Sequence, residues 1–416
     1  PMKNAWYPAL LTEQLDHSEP YGIQILGYPL CFWRHKGTIQ CVQDTCPHRS
    51  APLSVGRVID GVLECKYHGW QFGTQGKCDF IPSAPDQKIG TMYNAKLFPT
   101  KEMYKAIWVW IGDDMSEEEL EQRFPYRFFD KYDDKNWATN FGERDLNIDH
   151  GLMIENLLDP AHLPFTHAGT LAKRSDAQKM TMKVIWNTAT AAIFPEEEDA
   201  NFEIAQSTKS SGFRVRAYRP TSETKPDAGS FTFYAPCLTV LNITINEKKG
   251  TQMIQVNWSV PVTPTKMRFI YWFFRNVAVS VNKIPGINRA FRWSSDKIID
   301  QDVEMLGGQQ IRLDQGARPW NSVVSADTGG VIYRKWRQKQ EKEKPWFRSF
   351  SKNSQEITDI EEIHQGCSAQ YAEVPSGKFK VRERLPLFPD RIRWLLICFL
   401  LFSLISLIYF LWVRMN

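Results

Sequence analysis

Two short segments, Cys46-Pro-His48 and Cys65-Lys-Tyr-His68, restrict the fold of this chain more than any other feature of its sequence. Each segment carries one cysteine and one histidine, so together they offer two thiolates and two imidazoles to a single metal centre. Pro47 stiffens the first segment, and Gly69 lets the chain turn sharply after the second. Both segments are therefore expected to form tight loops.

This set of ligands is that of a Rieske [2Fe-2S] centre, in which one iron takes both sulfurs and the other takes both imidazoles. A structural Cys2His2 zinc site uses the same side chains and is the alternative. Zinc sites usually keep like ligands together in Cys-x-x-Cys and His-x-His pairs, whereas each pair in this chain is mixed. The sequence therefore favours a Rieske cluster bound by Cys46, His48, Cys65 and His68.

The composition is that of a globular protein with more than one domain. The chain has 416 residues, of which 43% are hydrophobic and 24% are charged, and this length predicts two domains with additional segments. A formal net charge of +4 is too small to indicate a nucleic-acid-binding protein. The eight cysteines have no regular spacing, which favours a reducing compartment over a disulfide framework.

Strand-like and helical patterns divide the chain into regions of an α+β fold. Short strand-like runs separated by Gly, Pro and Asn predict an N-terminal all-β domain at residues 1–115. Further strand-like runs at residues 183–276 predict an antiparallel sheet flanked by helices in a second, catalytic domain at residues 116–336. Residues 337–392 are polar and highly charged, and this composition predicts a tether.

Residues 394–413 contain no charged side chain and are rich in Leu, Ile and Phe. A helix of this length rises about 30 Å, the thickness of the hydrocarbon core of a bilayer. Trp394 and Trp412 lie at its ends, where aromatic belts occur, and more basic residues precede the run than follow it. We therefore expect a single transmembrane helix at residues 393–413, in contact with membrane lipid, with the rest of the chain on the cytoplasmic or stromal side. A buried helix of a soluble domain is the alternative.

A second set of candidate metal ligands begins with His162 and His167. Residues 147–162 have the spacing of one helix, which Pro164 is expected to interrupt, so that His167 can return to the side of His162. Two imidazoles with open positions around them suit a non-haem Fe(II) site of two histidines and one carboxylate. Asp159, one turn before His162, is expected to accept a hydrogen bond from the ring N–H of that histidine. A His-x4-His pair is weak evidence when it occurs alone.

The carboxylate ligand is expected from a helical pattern at residues 294–306. Asp302 lies in the middle of the apolar face of this helix, where an aspartate is costly to bury unless it binds a metal or a partner. Asp300 lies on the solvated face and is the alternative. We therefore predict a mononuclear iron bound by His162, His167 and Asp302.

These motifs resemble those of the Rieske non-haem oxygenases. Cys46-Pro-His-Arg49 and Cys65-Lys-Tyr-His-Gly-Trp70 are similar to the cluster motif of that family, and Asn156-x-x-Asp159-x-x-His162-x4-His167 is similar to its iron motif. Asp302 stands where the family has its third iron ligand. The resemblance implies that a [2Fe-2S] Rieske cluster delivers electrons to a mononuclear non-haem Fe(II), which uses O2 to oxidise an organic substrate.

The resemblance also implies partners. No Gly-rich dinucleotide motif is present, so the electrons would come from a separate ferredoxin or ferredoxin-like reductase. Relatives form ring-shaped trimers in which the residue matching Asp159 bridges the iron histidine to a cluster histidine of a neighbouring subunit. For this chain, the resemblance therefore implies a homotrimer in which Asp159 contacts His68 of the partner subunit.

Within the family, the chain most resembles the branch of chlorophyllide a and pheophorbide a oxygenases, and leans towards the former. The resemblance lies in residues 155–167, 235–237, 283–286, 306–310 and 331–336. It implies that two hydroxylations convert the ring methyl of chlorophyllide a to the formyl group of chlorophyllide b, at a thylakoid or other photosynthetic membrane. The Cys-x-x-Cys found near the C-terminus of pheophorbide a oxygenase is missing. The alternatives are the same chemistry on a sterol or aromatic substrate, or a membrane-bound Rieske electron carrier or redox sensor without turnover.

Overall fold

The structure, a computed structural model, describes residues 2–15, 18–187, 211–218, 229–246 and 249–343. One compact unit is formed by Trp6–Ile111, and a second begins at Gly112 and includes the first few residues of the chain. Among the residues described, no helix is long and apolar enough to cross a membrane. The transmembrane helix predicted at residues 393–413 lies outside the described residues.

The strands described in the first unit form three small sheets. Their orders are β1-β10-β9, β2-β3-β4 and β5-β6-β7-β8. The strands are β1 (Ala5–Leu11), β2 (Tyr21–Ile25), β3 (Tyr28–His35), β4 (Thr38–Gln43), β5 (Arg57–Ile59), β6 (Val62–Glu64), β7 (Gln71–Phe72), β8 (Cys78–Phe80), β9 (Thr100–Met103) and β10 (Ala106–Ile111). The prediction of an N-terminal all-β domain is confirmed.

The core of the first unit includes the two cysteines of the mixed pairs. Cys46 and Cys65 belong to one buried cluster with Trp33, Leu63 and Phe72, which come from β3, β6 and β7. Burial of these large apolar side chains is the main favourable term in the stability of such a small domain. The same packing fixes the positions of the two loops that carry the cysteines.

The second unit is built on one antiparallel sheet. Its strands are β11 (Ala138–Leu146), β12 (Thr181–Asn187), β13 (Gly212–Tyr218), β14 (Ser230–Tyr234), β15 (Leu238–Asn246), β16 (Thr251–Thr263) and β17 (Lys266–Arg275), in the order β11-β17-β16-β15-β14-β13-β12. Neighbouring strands pair antiparallel throughout. The predicted antiparallel sheet is therefore confirmed.

Helices pack against this sheet, and the candidate iron ligands lie within or directly beside helices. The helices described are α1 (Glu117–Gln122), α2 (His150–Leu157), α3 (Leu163–Thr166), α4 (Ile287–Asp314) and α5 (Thr328–Glu343). Leu152 of α2 and Leu306 of α4 share a buried cluster with Phe269 and Tyr271 of β17. Because both helices are anchored to the same strand, the segments that follow α2 and the centre of α4 are held close together.

The break in the helical segment that carries His162 and His167 differs from the prediction. A single helix was expected over residues 147–162 with an interruption at Pro164, but α2 ends at Leu157 and α3 begins at Leu163. Pro160 lies between them. Pro164 is in the first turn of α3, where a missing N–H costs no hydrogen bond. The interruption therefore precedes His162, and Pro164 helps to start a helix instead of ending one.

The start of the predicted tether is also different. The boundary predicted at residue 336 falls inside α5, which continues to Glu343. Tyr333 and Trp336 pack against Phe233 of the sheet, and Arg337 is also buried. The charged composition of this segment does not indicate a helix, but α5 buries one of its faces against the sheet. Residues 337–343 therefore belong to the folded unit. The rest of the predicted tether lies outside the residues that the structure describes.

Candidate metal centres

The two loops with the Cys-His pairs have the same backbone geometry. In the first, the amide of Cys46 donates to the carbonyl of Ala51 (2.8 Å) and the amide of Ser50 donates to the carbonyl of Cys46 (2.9 Å). In the second, Cys65 donates to Trp70 (2.8 Å) and Gly69 donates to Cys65 (2.9 Å). Ser50 and Gly69 both have positive φ angles, of 55° and 71°. The turns therefore match residue for residue, as expected of two loops that hold one centre.

The two cysteines of these loops lie inside the domain and the two histidines lie towards its surface. Cys46 and Cys65 are buried, whereas His48 is exposed and His68 is partly exposed. The ring centroids of the two histidines are 4.5 Å apart. Trp70 stacks on His48 with a centroid distance of 4.7 Å and an angle of 5° between the rings, which holds that imidazole in place.

The cysteine pair fits a metal cluster on electrostatic grounds. Burial, with a further contribution from the neighbouring Cys65, raises the pKa of the Cys46 thiol to about 11. Thiolates are the form that binds metal, so a positive centre must compensate for the cost of burying them side by side. Two adjacent buried sulfurs and two adjacent imidazoles could hold a [2Fe-2S] cluster with its histidine side at the surface.

The second set of ligands lies around the single turn of α3. His162 immediately precedes α3 and His167 immediately follows it, so the turn brings the two imidazoles to a centroid distance of 5.3 Å. Asp302 of α4 completes the group. Its Oδ1 lies 3.6 Å from Nε2 of His162 and 3.1 Å from Nε2 of His167. One ligand atom from each of the three side chains lies within 4.8 Å of the others.

These three side chains could hold one divalent metal ion. Asp302 is only 8% exposed. In the described part of the chain, the polar side chains in contact with it are the two imidazoles and the amide of Asn156, whose Nδ2 donates to Oδ1 at 3.2 Å. None of these groups carries a permanent positive charge. A buried carboxylate in such surroundings is stabilised by a bound cation, and two imidazoles with one carboxylate are the donor set of non-haem Fe(II).

Asp300, the alternative ligand in the sequence prediction, lies away from this group. Its Oδ1 accepts a hydrogen bond from the guanidinium of Arg144 at 2.7 Å, and its side chain is 61% exposed. Ile299 and Leu306, on the same face as Asp302, are buried. Met305, although apolar, is exposed. The structure thus brings Asp302, and not Asp300, to the two histidines.

Gln301 was missed by the sequence reasoning. Its Oε1 lies 2.9 Å from Nδ1 of His167 and accepts a hydrogen bond from that ring nitrogen. The hydroxyl of Thr170 also lies 2.9 Å from Oε1. Although burial opposes protonation of His167, the hydrogen bonds with Asp302 and Gln301 raise its pKa. The only available signal in the sequence was the position of a polar residue directly before Asp302.

Asp159 does not make the hydrogen bond that was expected of it. Its Oδ2 is 3.7 Å from Nδ1 of His162, which is beyond hydrogen-bonding distance. Its Oδ1 instead accepts a hydrogen bond from the amide of Ala161 at 2.7 Å, which closes a local turn. Nδ1 of His162 has no hydrogen-bond partner within the described part of the chain. The two histidines of the site are therefore held differently.

Comparison with known proteins identifies both units. Residues 5–96 match the family model of the Rieske [2Fe-2S] domain, and residues 146–343 match that of the vanillate O-demethylase oxygenase C-terminal domain. The structure of dicamba monooxygenase bound to dicamba is similar in fold, with a TM-score of 0.60 and 20% identity, over 82% of this chain and 98% of that one.

Two curated relatives are similar over most of this chain. Chlorophyllide a oxygenase, chloroplastic, of Arabidopsis thaliana is 30% identical over 347 residues, which is 81% of this chain and 57% of the relative. Protein TIC 55, chloroplastic, of Pisum sativum is 30% identical over 348 residues, which is 80% of this chain and 57% of the relative. The chain thus spans little more than half the length of these relatives.

The matches agree with the positions of the two ligand sets. The Cys-His pairs lie within the residues matched by the Rieske model, and His162, His167 and Asp302 lie within those matched by the oxygenase model. One chain therefore contains an iron–sulfur domain and an oxygenase catalytic domain. It belongs to the family of Rieske non-haem iron oxygenases.

Proposed function

We propose that this protein is a Rieske monooxygenase that oxidises a chlorophyll-type tetrapyrrole. The observation that carries the proposal is the presence of two separate metal-ligand sets in one chain, since an electron carrier has no use for the site of His162, His167 and Asp302. The similarity to chlorophyllide a oxygenase over 81% of this chain supports the substrate class. The proposed reaction converts the ring methyl of chlorophyllide a to a formyl group, giving chlorophyllide b.

The reaction balances as two successive hydroxylations. Each consumes one O2, two electrons and two protons, inserts one oxygen atom into a C–H bond and releases one water. The resulting geminal diol loses a third water to give the aldehyde. The complete conversion of methyl to formyl therefore requires two O2, four electrons and four protons, and a separate ferredoxin or ferredoxin-like reductase would supply the electrons.

The side chains of this chain have distinct roles in the proposal. Cys46, Cys65, His48 and His68 hold the [2Fe-2S] cluster, and His162, His167 and Asp302 hold Fe(II). When bound, the cluster supplies single electrons and the mononuclear iron supplies the oxidation of substrate by O2. Asn156 orients the carboxylate of Asp302 through its hydrogen bond to Oδ1.

Assembly and location are further parts of the proposal. The exposure of His48 and the partial exposure of His68 are compatible with electron exit from the histidine side of the cluster. We propose a homotrimer in which Asp159 links His162 to the partner subunit's His68. A C-terminal helix at residues 393–413 would anchor each chain in a photosynthetic membrane, with the catalytic part on the stromal or cytoplasmic side, close to an apolar pigment.

The test is turnover by the purified full chain. Chlorophyllide a, O2, NADPH, ferredoxin and its reductase are supplied, and formyl product is measured by chromatography and mass spectrometry. We expect chlorophyllide b, with the hydroxymethyl compound as an intermediate, and no product from Asp302→Asn. Absence of both compounds from protein that contains iron and a reducible cluster would contradict the proposed substrate. A sterol or an aromatic acid that is oxidised in the same assay would replace it.

A further inference from the structure

His167 is held by a hydrogen-bond arrangement that has no counterpart at His162 among the residues that the structure describes. Oε1 of Gln301 lies 2.9 Å from Nδ1 of His167, whereas the nearest carboxylate oxygen of Asp159 is 3.7 Å from Nδ1 of His162. The side chain of His167 is also only 2% exposed, while the side chain of His162 is 17% exposed. One imidazole of the iron site is therefore fixed within the fold, and the other has more freedom.

The partner of Nδ1 decides which ring nitrogen can bind a metal. An amide oxygen accepts hydrogen bonds but cannot donate one, so contact with Oε1 requires the proton of His167 to be on Nδ1. The lone pair of a neutral ring is then on Nε2, which is the nitrogen that lies 3.1 Å from Oδ1 of Asp302. The contact with Gln301 thus selects the tautomer in which Nε2 faces the other ligands.

The orientation of the Gln301 amide is itself supported. The hydroxyl of Thr170 lies 2.9 Å from Oε1 of Gln301 and 3.0 Å from the carbonyl of His167. Its single proton can be donated to either oxygen, and donation to Oε1 favours the orientation in which the amide oxygen, and not the amide nitrogen, faces His167. Thr170 lies just beyond α3, so the segment that carries His167 also carries a support for its partner.

Helix α4 provides both a metal ligand and the group that orients another ligand. Gln301 and Asp302 are consecutive residues of this helix of 28 residues, which is anchored to β17 through Ile299 and Leu306. Consecutive helical residues point about 100° apart, so one can reach His167 from the side while the other faces the metal position. Movement of α4 would therefore displace the carboxylate and the orienting amide together.

We propose that Gln301 is a positioning residue for the iron site, which fixes the tautomer and ring orientation of His167 through Nδ1. This inference rests on the iron ligands assigned in the proposed function. It makes His167 and Asp302 the fixed part of the site and His162 the adjustable part. Iron binding then depends on Gln301 more than on Asp159.

The test compares Fe(II) affinity among variants of the full-length protein. Gln301→Leu should weaken Fe(II) binding about 10- to 100-fold, the usual effect of removing a partner of a metal-bound histidine. Gln301→Glu keeps an acceptor at the same position and should retain wild-type affinity to within about threefold. Gln309→Leu, an exposed glutamine on the same helix, is the matched control and should have no effect.

A spectroscopic measurement separates positioning from general damage to the fold. The electron paramagnetic resonance spectrum of the ferrous protein with nitric oxide reports the symmetry of the mononuclear site. It should change in Gln301→Leu and be restored in Gln301→Glu, while the Rieske signal and the melting temperature stay as in wild type. Thr170→Val should produce a smaller change of the same kind without altering α4.

Three results would overturn the inference. One is wild-type affinity and an unchanged nitric oxide spectrum in Gln301→Leu. Another is an equal loss in Gln309→Leu. If Gln301→Leu does not fold, the other two variants decide. The inference would be overturned if Thr170→Val had wild-type Fe(II) affinity and an unchanged nitric oxide spectrum while Gln301→Glu lost iron. No substrate is used, so failure of the proposed tetrapyrrole oxidation in turnover assays would leave these readouts intact.

Discussion

Arg337 of α5 donates hydrogen bonds to both carboxylate oxygens of Asp149, the residue that caps the N-terminus of α2. Both side chains are about one tenth exposed. A second ion pair joins Arg334 to Glu155 near the other end of α2. These ion pairs attach α2 to α5. Because residues that follow α2 provide two of the iron ligands, the ion pairs also help to hold the metal site in position.

Removal of Arg337 should therefore destabilise the second unit. Arg337→Met keeps much of the apolar stem but leaves Asp149 buried without its partner, and should cost about 3–5 kcal/mol in the free energy of unfolding. The double variant with Asp149→Asn, which still caps α2, should lose less. Urea unfolding followed by tryptophan fluorescence measures both. A loss below about 1 kcal/mol in Arg337→Met would contradict the role of the pair.

The same cluster predicts a dependence of stability on pH through His150. Burial lowers the pKa of His150 to about 3, opposed by Asp149 and reinforced by Arg337 and Arg334. Between pH 6.5 and 3 the unfolded chain binds a proton that the folded chain does not, so this group's contribution to stability is lost as the pH falls. Each unit of pKa difference corresponds to about 1.4 kcal/mol.

Glu155 acts in the opposite direction, because burial, despite Arg334, raises its pKa to about 7. Above pH 4.5, the stability of the wild-type protein therefore depends on two groups that act in opposite directions as the pH falls. A variant that lacks His150 is needed to separate their effects. His150→Gln should retain more of its pH 7 stability at pH 4.5 than wild type does, by about 2–3 kcal/mol. Urea unfolding at the two pH values provides the comparison. Equal losses in both proteins would show that His150 does not titrate in this way.

Asp302 and Asp300 provide a matched pair for the identity of the carboxylate ligand. Asp302→Asn should reduce bound mononuclear iron and lower turnover by more than about 100-fold, since it removes the charged ligand. Asp300→Asn only removes an exposed ion pair with Arg144 and should change stability by less than about 1 kcal/mol, with normal iron content. Iron analysis and turnover under identical loading measure both. The reverse pattern would identify Asp300 as the ligand.

Asp159 should affect turnover and not iron binding. Its carboxylate lies 3.7 Å from His162 and bonds to the amide of Ala161, so Asp159→Asn leaves the ligands in place. If Asp159 links the two metal centres of adjacent subunits, the variant should slow reoxidation of the cluster by at least about tenfold. Stopped-flow absorbance of the Rieske cluster measures this rate. A normal rate would remove Asp159 from the electron path.

The carboxylate ligand could be chosen from sequence, because apolar residues recur at helical spacing around Asp302 and not around Asp300. An aspartate on such a face is costly to bury unless it binds a metal or a partner. Gln301 could not be found in this way. Its role depends on where α3 places His167, and no periodicity encodes that contact. The break before His162 was misplaced because two prolines, Pro160 and Pro164, lie four residues apart, and only the structure distinguishes the residue between helices from the one inside a first turn.

The residue at which the second unit ends could also not be predicted from amino-acid composition. Residues 337–343 are mostly charged, and such a run is usually solvated. One of them, Arg337, is buried because Asp149 supplies the opposite charge from a residue far away in the sequence. A composition profile cannot detect a long-range ion pair of this kind. The prediction of the all-β domain was accurate because turn residues and strand runs are local signals.

The most direct test of two metal sites in one chain is metal analysis of the purified protein together with electron paramagnetic resonance. We expect three irons and two acid-labile sulfides per chain, with a Rieske signal after reduction. The double variant His162→Ala, His167→Ala should retain two irons and the same signal. A wild-type protein with zinc in place of the cluster, or with two irons that do not decrease in this variant, would contradict the account.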